Sequence, residues 1–194
     1  MSKAGVTAAA SLSTYREAFL ELKEDSQVII ASLSREQLNR KPAPGKWSIG
    51  QCFSHLIEAG APLEQSMEQA IEEAGEGKRV DDPVDIRHGV FGKLFIYFLG
   101  PETGIPMPSP RSFTPSSDEL DPDDLSAEFQ QLQDGFISCI DQASHFDVNR
   151  IRLPSPAIPF VWFRMGTWLE ATVQHERRHV QQALRIRRAT GVSL

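Results

Sequence analysis

The chain has 194 residues, 40% hydrophobic and 24% charged, which suits one globular domain with a full core and excludes disorder throughout. Its formal net charge of −6, with no long block of like charge, excludes a nucleic-acid binder that works through a basic face. The two cysteines, Cys52 and Cys139, lie outside any CxxC pair, which excludes a zinc knuckle or a redox motif.

They read instead as buried thiols in a reducing cytoplasm. The N-terminus lacks the apolar core of a signal peptide. The most apolar run, Val90 to Leu99, is interrupted by Gly92 and Lys93 and is too short to span a bilayer. A cytoplasmic protein with neither a nucleic-acid nor a membrane partner is expected.

Four segments carry helical periodicity. The first runs from Thr14 to Leu33, with Thr14 and Glu17 as an expected capping box and Phe19, Leu22, Ile29, Ile30 and Leu33 as its apolar stripe. A polar connection with two prolines and a glycine, Lys41 to Lys46, breaks the pattern. The second helix starts at Ser48, whose capping partner is Gln51, and passes through Cys52, Phe53, Leu56 and Ile57. It meets Pro62, where a kink is expected, and ends near Ala74.

Residues 76–120 form a loop-rich insertion. Within it a short helix from His88 to Leu99 follows from Val90, Phe91, Leu94, Phe95 and Phe98, while Pro101 to Pro115 holds five prolines and must be loop. The third helix opens on Asp121-Pro122, an N-cap with proline at the first helical position, and its core face is Leu125, Phe129, Leu132, Phe136 and Ile140. After a second proline-rich connection, Leu153 to Pro159, the fourth helix is expected from Thr167, capped with Glu170, to Thr190 and Gly191. No strand alternation is evident. The sequence therefore predicts an all-α four-helix bundle with a long proline-rich connection between helices 2 and 3, one domain over 1–194 with a core of 12–190.

His175 and His179 are spaced i, i+4 on the last helix, so both rings leave one face and can share a metal ion. That face continues through Trp168, Thr172 and Gln182, while Arg177, Arg178, Arg185 and Arg188 are expected largely elsewhere. His55 lies in the apolar stripe of helix 2; alone it would read as a hydrogen-bonded core residue. Together the three make a three-nitrogen site on two helices of one bundle. His88 and His145 are expected in solvent.

Residues 175–179 also match HExxH, the zinc-protease signature, but no His, Asp or Glu follows to supply a third ligand, and Gln182 and Arg185 break the longer form. A di-iron carboxylate site is disfavoured as well, because it needs Glu-x-x-His on two helices with further glutamates, and helix 2 carries the reverse order, His55-x-x-Glu58. Glu58, one turn after His55, and Glu176, beside His175, are candidates to orient a ligand histidine. Glu58 has the better geometry, with a fourth-ligand role open to it, and Glu176 is expected on a solvated surface. Trp47 and Trp168 are candidate pocket residues, with core packing the favoured reading for Trp47. Cys52, within a turn of His55, is expected to be inert.

Two stretches carry a family resemblance. Pro44-Gly45-Lys46-Trp47-Ser48-Ile49-Gly50-Gln51 followed by Phe53-Ser54-His55-Leu56, and Thr172 to Gln182 with its two histidines, resemble the DinB-like superfamily of four-helix proteins. The similar layout covers residues 12–190. The resemblance implies that His55, His175 and His179 bind zinc, nickel or a similar divalent ion. It also implies a small-molecule thiol or electrophile as partner, since some relatives transfer bacillithiol or mycothiol, and a homodimer.

An open three-histidine site favours catalysis over structure. It can activate a thiol, which makes a thiol S-transferase, or a water, which makes a hydrolase. A non-catalytic metal or small-molecule binder is the remaining alternative.

Overall fold

Each helix begins where local chemistry satisfies its first N–H groups. The computed structural model describes residues 11–103, 109–115 and 117–192. Helix α1 (Leu12–Ala31) is capped by Ser11, whose hydroxyl accepts from the Thr14 N–H, so the cap lies one turn before the expected Thr14. It ends at Ala31, two residues before the expected Leu33, and a short α2 (Arg35–Asn39) that the sequence reading did not assign follows, started by a capping box of Ser34 and Gln37 and burying Leu38 completely. Helix α3 (Ile49–Glu72) carries the expected Ser48–Gln51 box and continues through Pro62 without interruption. Helix α4 (Gly89–Leu99) follows, and α5 (Pro122–Ala143) is capped by the Asp121 carboxylate on the Asp123 and Asp124 N–H groups.

Contrary to the sequence reading, there is a small antiparallel hairpin of β1 (Arg152–Pro154) and β2 (Trp162–Arg164). It leads straight into α6 (Met165–Ala189), where the Met165 N–H donates to the Ile151 carbonyl at 2.9 Å. No side chain caps α6, so the expected Thr167–Glu170 box does not form: Thr167 lies inside the first turn, fully buried. The helix ends as expected at Gly191, which adopts φ +67°. The Val192 N–H returns to the Arg187 carbonyl at 3.2 Å, and the Gly191 N–H to Arg188 at 3.3 Å.

Helices α1, α5, α3 and α6 form the bundle in that order around its axis. Their directions follow from paired residues. Arg16 meets Asp141 and Lys23 meets Asp134, so α1 and α5 are antiparallel. Tyr15 faces Glu170 and Glu21 meets Arg177, so α1 and α6 are parallel. Gly50 lies under Leu120 and Gly60 under Leu132, so α3 and α5 are also parallel neighbours. A Cβ on Gly60 would sit 2.8 Å from Leu132 Cδ2, which is why these two helices need glycine there to approach. The core stacks Phe19 on Phe136 at 4.9 Å and sets Phe53 edge-on to Phe129 at 5.3 Å.

Two parallel neighbours in one bundle cannot be joined by a tight turn. The chain from 73 to 121 must return to the end where α3 began, which accounts for the long connection. Within it α4 packs on α6, with Gly92 against Thr167, and short 3-10 turns cover Pro101–Thr103 and Arg111–Phe113. Residues 104–108 of the proline-rich stretch lie outside the described residues. Among the described residues no helix is long and apolar enough to cross a membrane.

Cys52 and Cys139 are both free and buried, at 1% and 0% exposure, and burial pushes each thiol up to about 12. At pH 8 only about one thiol in ten thousand is then ionised in the folded chain. An aromatic disulfide reagent is expected to label neither cysteine in the native protein and both after denaturation. Rapid stoichiometric labelling of the native state would show that the α3–α5 core opens freely.

Candidate metal centre

The Ser48 cap fixes the start of α3, which places His55 two turns into the bundle, facing α6. On α6 the i, i+4 spacing sets His175 and His179 on the same side. The three rings form a nearly equilateral triangle: centroids are 5.1 Å apart for His55–His175 and 4.7 Å for both other pairs. One nitrogen from each lies within 4.8 Å of the others, and His55 Nε2 is 3.2 Å from His175 Nε2. Two nitrogens bound tetrahedrally to one zinc would stand about 3.3 Å apart.

His55 Nδ1 donates to the Phe113 carbonyl at 2.7 Å, so its Nε2 lone pair faces the other two rings. The acceptor that orients His55 is therefore a backbone group of the proline-rich connection, not the expected Glu58. The half-buried Glu58 carboxylate accepts from Ser54 Oγ at 3.3 Å and does not belong to the three-histidine cluster. Its charge raises the His55 pKa, but burial outweighs it and the net shift is downward.

Burial, then the neighbouring His55 and Arg178, pushes His175 down to about 3, and burial with the same neighbours and His175 pushes His179 down further. All three rings are thus neutral near pH 7. Three convergent neutral imidazoles fit a borderline divalent cation. His179 Nδ1, buried with no partner among the described residues, leaves a polar atom of this cluster unanswered by protein.

Glu176 is not on a solvated surface. It is 1% exposed, Gln133 Nε2 donates to its Oε1 at 3.2 Å, and burial pushes its carboxyl up to about 8. The heptad-like spacing of α6 places 176 on the flank that turns toward α5, a neighbour the sequence did not identify. Trp47 also departs from expectation: its ring lies 5.0 Å from His55 and 5.9 Å from His179, so it walls the site as well as touching the core. His88 is half-buried, with Nε2 3.4 Å from the Tyr15 hydroxyl, whereas His145 is exposed as expected.

The histidines open onto a cavity of about 940 Å³. Trp168, Thr172 and Gln182 line it, as the helical face predicted. Phe95 and Leu99 of α4 and Phe113 and Ile158 of the connections add apolar wall that the sequence did not assign. Arg178 and Arg185, expected away from the site, also line it, together with Lys46. Arg178 Nη1 donates to the Phe98 and Gly100 carbonyls and so ties α6 to the end of α4.

The Gln133–Glu176 pair is a buried polar contact whose loss on one side strands the other. Gln133→Met and Glu176→Met are each expected to lower stability by about 1–3 kcal/mol in chemical denaturation, with the double variant costing less than the sum. Additive losses would mean that the two side chains do not support one another.

The comparisons agree with this architecture. A family model described as the DinB superfamily matches residues 18–183, a span that includes all three histidines. No curated protein matches the chain. Among solved structures, the fold is similar to that of YfiT from Bacillus subtilis, described as "a probable metal-dependent hydrolase with an unusual four-helix bundle topology". The TM-score is 0.59 at 13% identity, covering 100% of this chain and 94% of that one. With the family model spanning most of its length, the chain belongs to the DinB superfamily.

Proposed function

We propose that His55, His175 and His179 hold one divalent cation, zinc or nickel, and that the protein is a metal-dependent enzyme transferring a small thiol to an electrophile bound in the cavity. The observation that carries this reading is the convergence of three neutral imidazole nitrogens within 4.8 Å at the wall of a 940 Å³ cavity. Three protein ligands leave a coordination position for a reactant, as in catalytic rather than structural sites. A cation held there supplies Lewis acidity, lowering the pKa of a thiol or a water presented to it.

The chain's own residues supply the rest. The Phe113 carbonyl holds His55 in one tautomer, and Trp47 fixes the ring from the side. Phe95, Leu99 and Trp168 offer an apolar wall for an electrophile, and Lys46, Arg178 and Arg185 favour reactants with negative charge. Thiol transfer is preferred over hydrolysis for one reason. Glu176, the acid among the described lining residues, is 1% exposed and turned to Gln133, so it offers no accessible base to water. A thiol, with an ordinary pKa of about 8.5 against about 15.7 for water, needs the smaller shift from the cation to lose its proton. The second reading, a hydrolase, is favoured by the description of YfiT.

Plasma mass spectrometry of the untagged protein is expected to find about one equivalent of metal. His55→Ala, His175→Ala and His179→Ala should each lose it, and chelation should lower the Tm of the parent only. A parent chain that stays metal-free after reconstitution would remove the proposal. With the site loaded, conjugation of a low-molecular-weight thiol to an aryl halide is expected, and ester hydrolysis is not. The opposite pattern would replace thiol transfer by the second reading.

A further inference from the structure

Helix α4 has no polar face. Its inner side, Gly92, Phe95, Ile96 and Leu99, lies on α6 and roofs the cavity, as an amphipathic helix would require. Its outer side should then be charged, yet it carries Val90 (82% exposed), Phe91 (82%), Leu94, Tyr97 and Phe98, with Lys93 alone on the flank. Beside it, the β1–β2 connection exposes Ile158 and Phe160 (99%), and β2 exposes Trp162. Phe160 adopts φ +64°, a conformation that a bulky side chain rarely takes. The turn is not loose: the Ser155 N–H donates to the Val161 carbonyl at 2.7 Å, and Ser155 Oγ accepts from Ile158 at 3.0 Å. Phe95 of α4 stacks on Phe163 of β2 at 4.5 Å, which joins the two apolar elements side by side.

The two stretches of sequence that carry these elements are one-sided in charge. The chain has no acidic residue between Asp85 and Glu102 or between Asp147 and Glu170, and in those two stretches stand Arg87, Lys93, Arg150, Arg152 and Arg164. A formal charge of −6 for the whole and +5 for these stretches leaves −11 for the rest. Arg164 Nη1 donates to the Arg87 carbonyl at 3.0 Å, which brings the cations of the two stretches together.

We propose that this face docks on an anionic phospholipid surface, with Phe91, Phe160 and Trp162 entering the headgroup boundary and Arg87, Lys93, Arg152 and Arg164 facing lipid phosphates. Apolar and aromatic side chains ringed by Lys and Arg are the pattern of interfacial rather than spanning attachment. A second copy of the chain is the poorer occupant, because a two-fold contact would set each group of cations against its like. Docking in this way puts the cavity mouth, which Ile158 shares, at the lipid surface. The proposal does not depend on the metal or on the reaction.

Flotation of the full chain with vesicles of phosphatidylcholine and phosphatidylglycerol tests it. Binding is expected on these vesicles and not on phosphatidylcholine alone, and should fall as salt is raised. Phe91→Ser with Phe160→Ser, and separately Lys93→Gln with Arg152→Gln, should each weaken it about tenfold. Tryptophan emission should shift to the blue on the anionic vesicles, and Trp162→Phe should remove the shift, a readout that survives if the double serine variant misfolds. Absence of flotation, or flotation unchanged in the variants, would overturn the proposal. So would a dimer in light scattering that the double serine variant makes monomeric, since the face would then belong to a second copy.

Discussion

Helices α3 and α5 lie side by side and run the same way, and most of what is distinctive in the molecule follows from that pairing. Antiparallel helices can be joined by a few residues, but parallel neighbours oblige the chain to travel back along the bundle. The return path from 73 to 121 supplies α4, which roofs the cavity, and Phe113, whose carbonyl holds His55. The connection is thus part of the site as much as the bundle is. A simple up-and-down bundle with the same four helices could bring the three histidines together, but it would leave His55 Nδ1 without its acceptor and the cluster open to water.

The histidine cluster carries a polar cost. Burying a polar ring without a partner costs free energy, and His179 Nδ1 is so buried. Charging the rings is opposed by burial and by Arg178, so protons cannot answer the lone pairs. The arrangement therefore stores polar atoms in a neutral state, ready for a cation that needs unprotonated nitrogen. Trp47 and the Phe113 carbonyl keep His55 from turning away, so its Nε2 stays aimed at the other two rings.

Much of this was legible in the sequence, and the exceptions have physical causes. Periodicity and caps located the bundle helices because Ser48, Asp121-Pro122 and Gly191 act within one turn of chain. The i, i+4 histidines and His55 on an inward stripe pointed to the same place for the same local reason. What failed depended on distant partners. Glu176 reads as a surface acid beside two arginines until α5 brings Gln133 against it. The acceptor of His55 is a carbonyl, a group every residue carries, so no residue type at 113 could reveal it. Thr167 with Glu170 satisfies the capping pattern, yet the hairpin feeds α6 two residues earlier and the pattern falls inside the helix. The short α2 has its start signal in Ser34 and Gln37, but five residues carry too little periodicity to mark a helix.

Net charge proved a poor guide to local chemistry. A chain of −6 suggests a surface that repels anions, but the cavity wall gathers Lys46, Arg178 and Arg185 from two separated parts of the sequence. Arg178 is held there by the carbonyls at the end of α4, where the helix dipole is negative, so its position is set by the same connection that the parallel helices demand. The acids lie mainly on other elements, some of them in exposed pairs such as Arg16–Asp141 and Lys41–Asp118, where solvent screens them. Inside the cavity the cations act through apolar walls and at short range, and there the sign of the field is theirs.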